Sequence, residues 1–438
     1  MEQSTLALII LAVTLVLYCI PAVPLAVTTI LAMLAMAATG IITFSEAYSG
    51  FANSAIFLMA GMMIIGRAWF TTGLAGRISR VLYRFVGSNE KLLIAVILVV
   101  ASFISVFLNG SLTVAILMPV IDSLVVRSGG RITRKQTYFP LGVASVLGNN
   151  LTTISATSMV TAGALLSEAG FRQLGLFEPT AVNLPALLVV IVFYILAGHK
   201  LQSRWFDFEE IPPAPEQELS EDALSGVPIW KTWLTLAVTL AVVVLLVCGA
   251  DTGFAALIGA CVLVLTRCVS EREAFASISW QVIIIAAGAI GFSKGMDASG
   301  AGAIIANTVI GLFGDGSPFV ICIALFVIGS LLSNFMSDNA SVAVLIPITL
   351  AVAQGMNCDA TPLVLSAASG IKVALATPIS VTPMTMIGVP GYRFKDYLRM
   401  GGLVNLISLA VTGAAIYVIY FMRGACGQKR LRSGKNLL

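Results

Sequence analysis

Polar residues are sparse along this chain and punctuate long apolar runs. Runs of about 20 apolar residues, the length a helix needs to cross a bilayer, fall near 5–20, 22–43, 54–72, 137–165, 180–198, 229–249, 252–268, 280–297, 361–388 and 401–422. Residues 5–20 read as a first span, not as a cleaved leader, since Glu2 is the only charge before them. Two further apolar stretches, 92–126 and 317–355, carry a polar cluster near the middle of each.

The clusters are duplicated. Phe107-Leu-Asn109-Gly110-Ser111-Leu-Thr113 aligns without a gap on Phe335-Met-Ser337-Asp338-Asn339-Ala-Ser341, and the register holds through Pro119 and Pro347, 228 residues apart. A second echo pairs Thr152-Thr-Ile154-Ser155-Ala-Thr157-Ser-Met159 with Thr377-Pro-Ile379-Ser380-Val-Thr382-Pro-Met384, at an offset of 225. Two halves with matching polar interruptions inside apolar sequence point to a transporter built from a repeated unit.

Charge orients the halves. Arg77, Arg80, Arg84 and Lys91 precede the first clustered stretch, and Arg127, Arg131, Arg134 and Lys135 follow it, so both ends face the cytoplasm under the positive-inside bias. Asp315, Asn357 and Asp359 bracket the second, whose ends are expected outside. Each stretch then reads as a helical hairpin that enters and leaves on one side, and the two dip from opposite sides. The expected fold is an all-α polytopic membrane protein, an inverted repeat of five transmembrane helices plus one re-entrant hairpin per half. Repeat 1 covers 1–198 (hairpin 92–126, broken helix 137–165), a cytoplasmic linker covers 199–228, and repeat 2 covers 229–422 (hairpin 317–355, broken helix 361–388). The basic tail 423–438 falls outside by this count, against its own charge.

Composition narrows the function classes. The chain has 58% hydrophobic and 11% charged residues, where a soluble globule carries about 25% charged. Its basic residues flank spans instead of forming a patch, which argues against nucleic acid as a partner. The seven cysteines form no CxxC pair and read as small core residues without a metal site. A single histidine, His199, at a span end and no clustered acids argue against an intramembrane enzyme, and no GxxxxGK[ST] motif supports ATP-driven pumping.

The candidate chemistry lies in the interruptions. Asn109-Gly110-Ser111 and Ser337-Asp338-Asn339 suit hairpin tips, where free backbone N–H groups and hydroxyls face a ligand. Pro378 and Pro383 break their helix, and broken helices offer positive N-termini to an anion and free carbonyls to Na+. Asp338 is a candidate for a coupling cation or a proton, and Lys372 either holds a substrate anion or neutralises Asp338. Asp122 and Lys294 lie nearer span ends and are expected to be solvated.

At these residues the chain resembles the divalent-anion/sodium symporter family of the ion-transporter superfamily. The likeness rests on the two tip segments, the TxIS runs where the family usually has T-x-I-G-T, and the stretch Gly391-Tyr392-Arg393 to Asn405. It implies an elevator-type homodimer in the cell (inner) membrane, with scaffold and transport domains, that carries a dicarboxylate or sulfate with Na+ and needs no other cofactor. By that alignment one cation set maps to Ser105, Asn109, Gly110 and Gly148, and the other to Ser333, Asp338, Ala376 and Pro378. Substrate contacts map to Gly110, Ser111, Asp338 and Asn339, and the neighbouring Thr113, Ser341, Thr157, Thr382 and Lys372 complete the candidate set. The sequence departs from the family pattern where an Asn is expected, with Gly110 in one half and Asp338 in the other. A proton-coupled reading, a cation/proton antiporter or another anion permease using Asp338, therefore stays open.

Overall fold

The computed structural model describes residues 2–18, 20, 23–74, 77, 90–128, 131–211, 228–313, 317–378 and 381–422. Arg80, Arg84, Asp315, Ile379, Ser380, the linker segment 212–227 and the tail 423–438 lie outside the described residues. In lipid only a helix satisfies its own backbone within one segment, and the apolar runs are helical throughout. The first half contributes α1 (Gln3–Tyr18), α2 (Leu25–Ala38), α3 (Phe44–Tyr48), α4 (Ser54–Thr71), α5 (Glu90–Phe107), α6 (Gly110–Ser128), α7 (Arg134–Asn149), α8 (Thr157–Glu168), α9 (Glu178–Phe193) and α10 (His199–Trp205). The second contributes α11 (Ile229–Val247), α12 (Thr252–Leu265), α13 (Glu271–Ser277), α14 (Trp280–Ala298), α15 (Ala301–Phe313), α16 (Pro318–Phe335), α17 (Asp338–Gly355), α18 (Ala360–Lys372), α19 (Thr382–Met386), α20 (Phe394–Asp396) and α21 (Gly402–Ile416). No strand occurs among the described residues.

Among the described residues seven helical segments are long and apolar enough to cross a membrane, or eight if α13 and α14, bent by 52°, form one span. Burial follows the pattern of a protein solvated by lipid. Leu188, Val192 and Leu196 beside α9, Trp233, Leu240 and Val244 on α11, and Leu406 on α21 are exposed. By contrast α7 buries Gln136, Thr137, Ser145 and Asn149, and every residue of α18 is buried, Lys372 included. Apolar side chains outside and polar ones inside identify a multi-pass membrane protein with a polar interior.

Capping fixes where several helices start. The side chains of Asn53, Asp251 and Asp359 accept backbone N–H groups at the starts of α4, α12 and α18, which removes orphan donors from a medium that cannot solvate them. Glycine sets how closely the helices approach. In each half the first hairpin arm packs on the helix that follows the hairpin, α5 on α7 and α16 on α18. A Cβ on Gly148 would come within 2.6 Å of Ser102 Cα, and one on Gly370 within 2.7 Å of Phe326 Cα. Both approaches are open to glycine alone.

The run 137–165 is two helices separated by residues 150–156, and 361–388 is two helices separated by 373–381, as a broken helix requires. Three other expectations change. The run 280–297 extends back through the bend into α13, and α15 is a helix that the apolar pattern did not separate from its neighbours. Asp122 is not solvated: it is 4% exposed and receives both Arg134 and the Tyr138 hydroxyl. The start of α7 lies back alongside α6, so the carboxylate meets a guanidinium that sequence spacing does not reveal. Cys268 and Cys322 are buried as expected, but Cys248 and Cys261 are exposed.

Candidate functional site

The first hairpin breaks at Leu108 and Asn109, between α5 and α6. Asn109 Oδ1 accepts from Ser111 N (3.0 Å), which caps the new helix, and Ser105 Oγ donates to Thr113 Oγ1 (2.9 Å) across the turn. The interrupted helix behind it is tied to the same arm. Thr152 Oγ1 donates to the Val106 carbonyl (2.9 Å), and Ser155 Oγ donates to the Asn149 carbonyl (2.9 Å).

The second hairpin repeats part of this bonding at the aligned positions, although Ser333, aligned with Ser105, has no partner among the described residues. Ser337 Oγ accepts from Ala340 N (3.3 Å) at the start of α17. Ser341 Oγ donates to the Ser337 carbonyl (3.1 Å), as Thr113 Oγ1 does to the Asn109 carbonyl (3.5 Å). Thr377 Oγ1 donates to the Asn334 carbonyl (3.1 Å), as Thr152 does to Val106. The duplication read from the sequence therefore reappears as duplicated hydrogen bonds. Where the halves differ, charge enters: Lys372 Nζ lies 2.8 Å from Asp338 Oδ2, with side-chain exposures of 7% and 15%. Of the two roles left open for Lys372, the structure shows it on Asp338. With the Asn149 carboxamide assigned the orientation that its neighbours require, its Oδ1 accepts from Lys372 Nζ at 3.2 Å and its Nδ2 donates to the Ser155 carbonyl at 2.7 Å.

Each tip meets the other half's broken helix. Thr157 Oγ1, at the start of α8, donates to Asn339 Oδ1 of the second tip (3.0 Å). Gly110 of the first tip lies against α7 and α19, where an added Cβ would stand 3.1 Å from Pro383 Cγ and 3.1 Å from the Ser145 carbonyl. Two helix N-termini, those of α6 and α17, and two interrupted helices thus converge. Helix N-termini favour anions and helix C-termini favour cations, so the junction offers both.

The sequence-derived candidates divide into two groups. Asn109, Ser111, Asp338, Asn339 and Thr157 are half-buried, and Thr382 is exposed, all at the tips or breaks. Thr113, Ser341, Ser105 and Ser333 are fully buried, and the first three are bonded within the hairpins, where they hold the tips in shape. Gly148 sits against Ser102 of α5, and the Pro378 carbonyl receives the Thr385 hydroxyl. Ala376 borders a cavity of about 620 Å³ with Ser330, Asn334, Asn405 and Arg399. Sequence reasoning passed over Ser145, Asn150 and Asn334. The Ser145 hydroxyl, the whole Asn150 carboxamide, Ser333 Oγ and Asn334 Oδ1 are buried with no hydrogen-bond partner among the described residues, and such groups are costly unless a ligand or water completes them. The signal for Asn150 was present, since Asn149-Asn150 opens the polar run, but only Thr152 onward was echoed in the second half.

The matches to known proteins place the chain among membrane transporters. The family model described as citrate transporter matches residues 6–370. An uncharacterized transporter of Haemophilus influenzae is 23% identical over 95% of this chain and 92% of its own length. The sodium-dependent dicarboxylate transporter SdcS of Staphylococcus saprophyticus is 21% identical over 92% of this chain and 82% of its own length. The uncharacterized transporter YfbS of Escherichia coli is 28% identical, but over 35% of this chain and a quarter (25%) of its own length. Among solved structures, the Alcanivorax borkumensis YdaH transporter superposes with a TM-score of 0.62 at 12% identity, covering 87% of this chain and 88% of that one. Its fold is the fold described above, and the resemblance to divalent-anion/sodium symporters holds. With the family model spanning most of its length and helices, tips and breaks in matching halves, this chain is a membrane transporter that belongs to the citrate transporter family.

Proposed function

We propose that the protein is a secondary active transporter that carries a small divalent anion, a dicarboxylate or sulfate, across the cell membrane together with Na+. The observation that carries this reading is the crossing of the two hairpin tips with the two broken helices, where helix N-termini and tip hydroxyls meet. The anion sits at the N-termini of α6 and α17 against Ser111, Asn339, Thr157 and Thr382. Na+, a hard cation that takes oxygen ligands, sits in the first half near Asn109 and the C-terminal end of α7, where Ser105, Gly110 and Gly148 shape the site. SdcS, matched along most of both chains, is named as a sodium-dependent dicarboxylate transporter, which supports this substrate class.

The two repeats, joined by the 199–228 linker, work as mirrored halves of an elevator. The hairpins and broken helices form the moving part, the remaining spans form the scaffold, and two copies assemble as a dimer. Uptake into proteoliposomes tests the reading. Labelled succinate, malate, citrate and sulfate are offered with an inward Na+ gradient, and with K+ in its place at several pH values. Accumulation of one dianion only with Na+ is expected. Na+ movement against a proton gradient with no anion taken up would replace this reading with a cation/proton antiporter centred on Asp338.

A further inference from the structure

The two halves are not equivalent at one point. In each, a helix ends beside a hairpin tip and turns its negative C-terminal end toward the polar junction: α7 at Asn149 and α18 at Lys372. The last turn of α7 carries no basic residue, whereas the last turn of α18 carries Lys372. At the tips the same asymmetry appears with opposite sign. Position 110 is glycine, and the aligned position 338 is a carboxylate. Two side-chain hydrogen bonds, those of Thr113 and Ser341 and those of Thr152 and Thr377, recur at aligned positions in the two halves, whereas the charge at this pair of places changes together. A carboxylate at a tip that meets an anion is tolerable only if a positive charge stays with it, and Lys372 Nζ is that charge at 2.8 Å.

We propose that the Lys372 ammonium is a tethered cation, fixed where the second half would otherwise bind a mobile one. The proposal rests on the Na+-coupled reading above and deepens it. The acceptors around Nζ are Asp338 Oδ2 and, in its assigned orientation, Asn149 Oδ1, oxygen ligands of the kind a hard cation takes. The contact with Asn149 joins the ends of both broken helices through one ammonium. The second set, Ser333, Asp338, Ala376 and Pro378, is then no Na+ site in this protein. Its carboxylate is already engaged, and Ala376 lines the cavity with Asn334 and Asn405. The mobile cation is confined to the first half, whose oxygens are neutral and whose helix end lacks a base. Coupling follows as one cation fewer per anion than two equivalent halves would use.

Thermal stability of the purified protein, read against Na+ at constant ionic strength with no anion present, separates the possibilities. Lys372→Met removes the ammonium and leaves Asp338 exposed to the medium's cations. This variant is expected to gain a Na+-dependent stabilisation on top of that of the parent, and Lys372→Met with Asp338→Asn is expected to fall back to the parent's response. An unchanged Na+ response in Lys372→Met, or an equal gain in the double variant, overturns the proposal. The parent supplies an independent readout if the variant does not fold. Its Na+ dependence of uptake is expected to show a Hill slope of about one, and a slope of about two contradicts a tethered cation. Because the stability assay contains no anion, it remains readable even if the anion reading fails.

Discussion

A carboxylate or cationic side chain buried in a lipid-solvated protein needs its partner, and two such pairs stand among the described residues. Asp122 holds the Arg134 guanidinium through two bonds and accepts the Tyr138 hydroxyl, with the ion pair's side chains 4% and 6% exposed. Removing one partner of a buried pair strands the other charge at a cost of about 3–5 kcal/mol. Asp122→Ala is therefore expected to lower the melting temperature in detergent far more than Arg172→Ala, which removes a 63% exposed side chain from its pair with Glu178. A change no larger than that of Arg172→Ala would show that Arg134 finds other support. The tip pair was partly legible. Asp338 and Lys372 stood out as lone charges inside apolar sequence, but their 34-residue separation could not tell an ion pair from a substrate ligand. Asp122 was misread as solvated because its partner arrives through a turn, and spacing along the chain carries no record of that approach.

Elements were legible where physics is local. A hairpin shows as two apolar arms around a polar centre, and both such stretches are paired helices, α5 with α6 and α16 with α17. The breaks were visible because Thr, Ser and Pro interrupt an apolar helix that cannot leave its backbone unsatisfied in lipid. The short helix α15, Ala301–Phe313, was not visible: at 13 residues it is too short for a span, and the charges that flank it, Asp297 and Asp315, are acidic and give no positive-inside signal. The repeated bonds make an element-level expectation. Thr152 and Thr377 each fasten an interrupted helix to its hairpin arm by one hydrogen bond. Thr152→Val and Thr377→Val are each expected to cost about 1 kcal/mol in stability and to weaken anion affinity, since each loosens a tip's backing. Melting curves and uptake KM for both variants check this, and a loss confined to one half would show that the two fastenings are not equivalent.

At the scale of the whole molecule, an apolar exterior encloses a polar junction assembled from both halves, so neither half completes it alone. Composition made the membrane class plain, and the duplication pointed to the transporter class that the family match supports. The crossing of tip with opposite break was not legible, because alignment pairs Asn109 with Ser337 and Thr157 with Thr382, while the contacts run from Thr157 to Asn339 and from Gly110 toward Pro383. The most direct test of a shared site is anion-dependent stabilisation of the parent, Ser111→Ala and Asn339→Ala, measured with the dianion that the parent transports and with Na+ present. Loss of most of that stabilisation in both variants, one from each tip, is the expected result. If either tip can be altered with the anion response intact, the anion does not bind where the two halves cross.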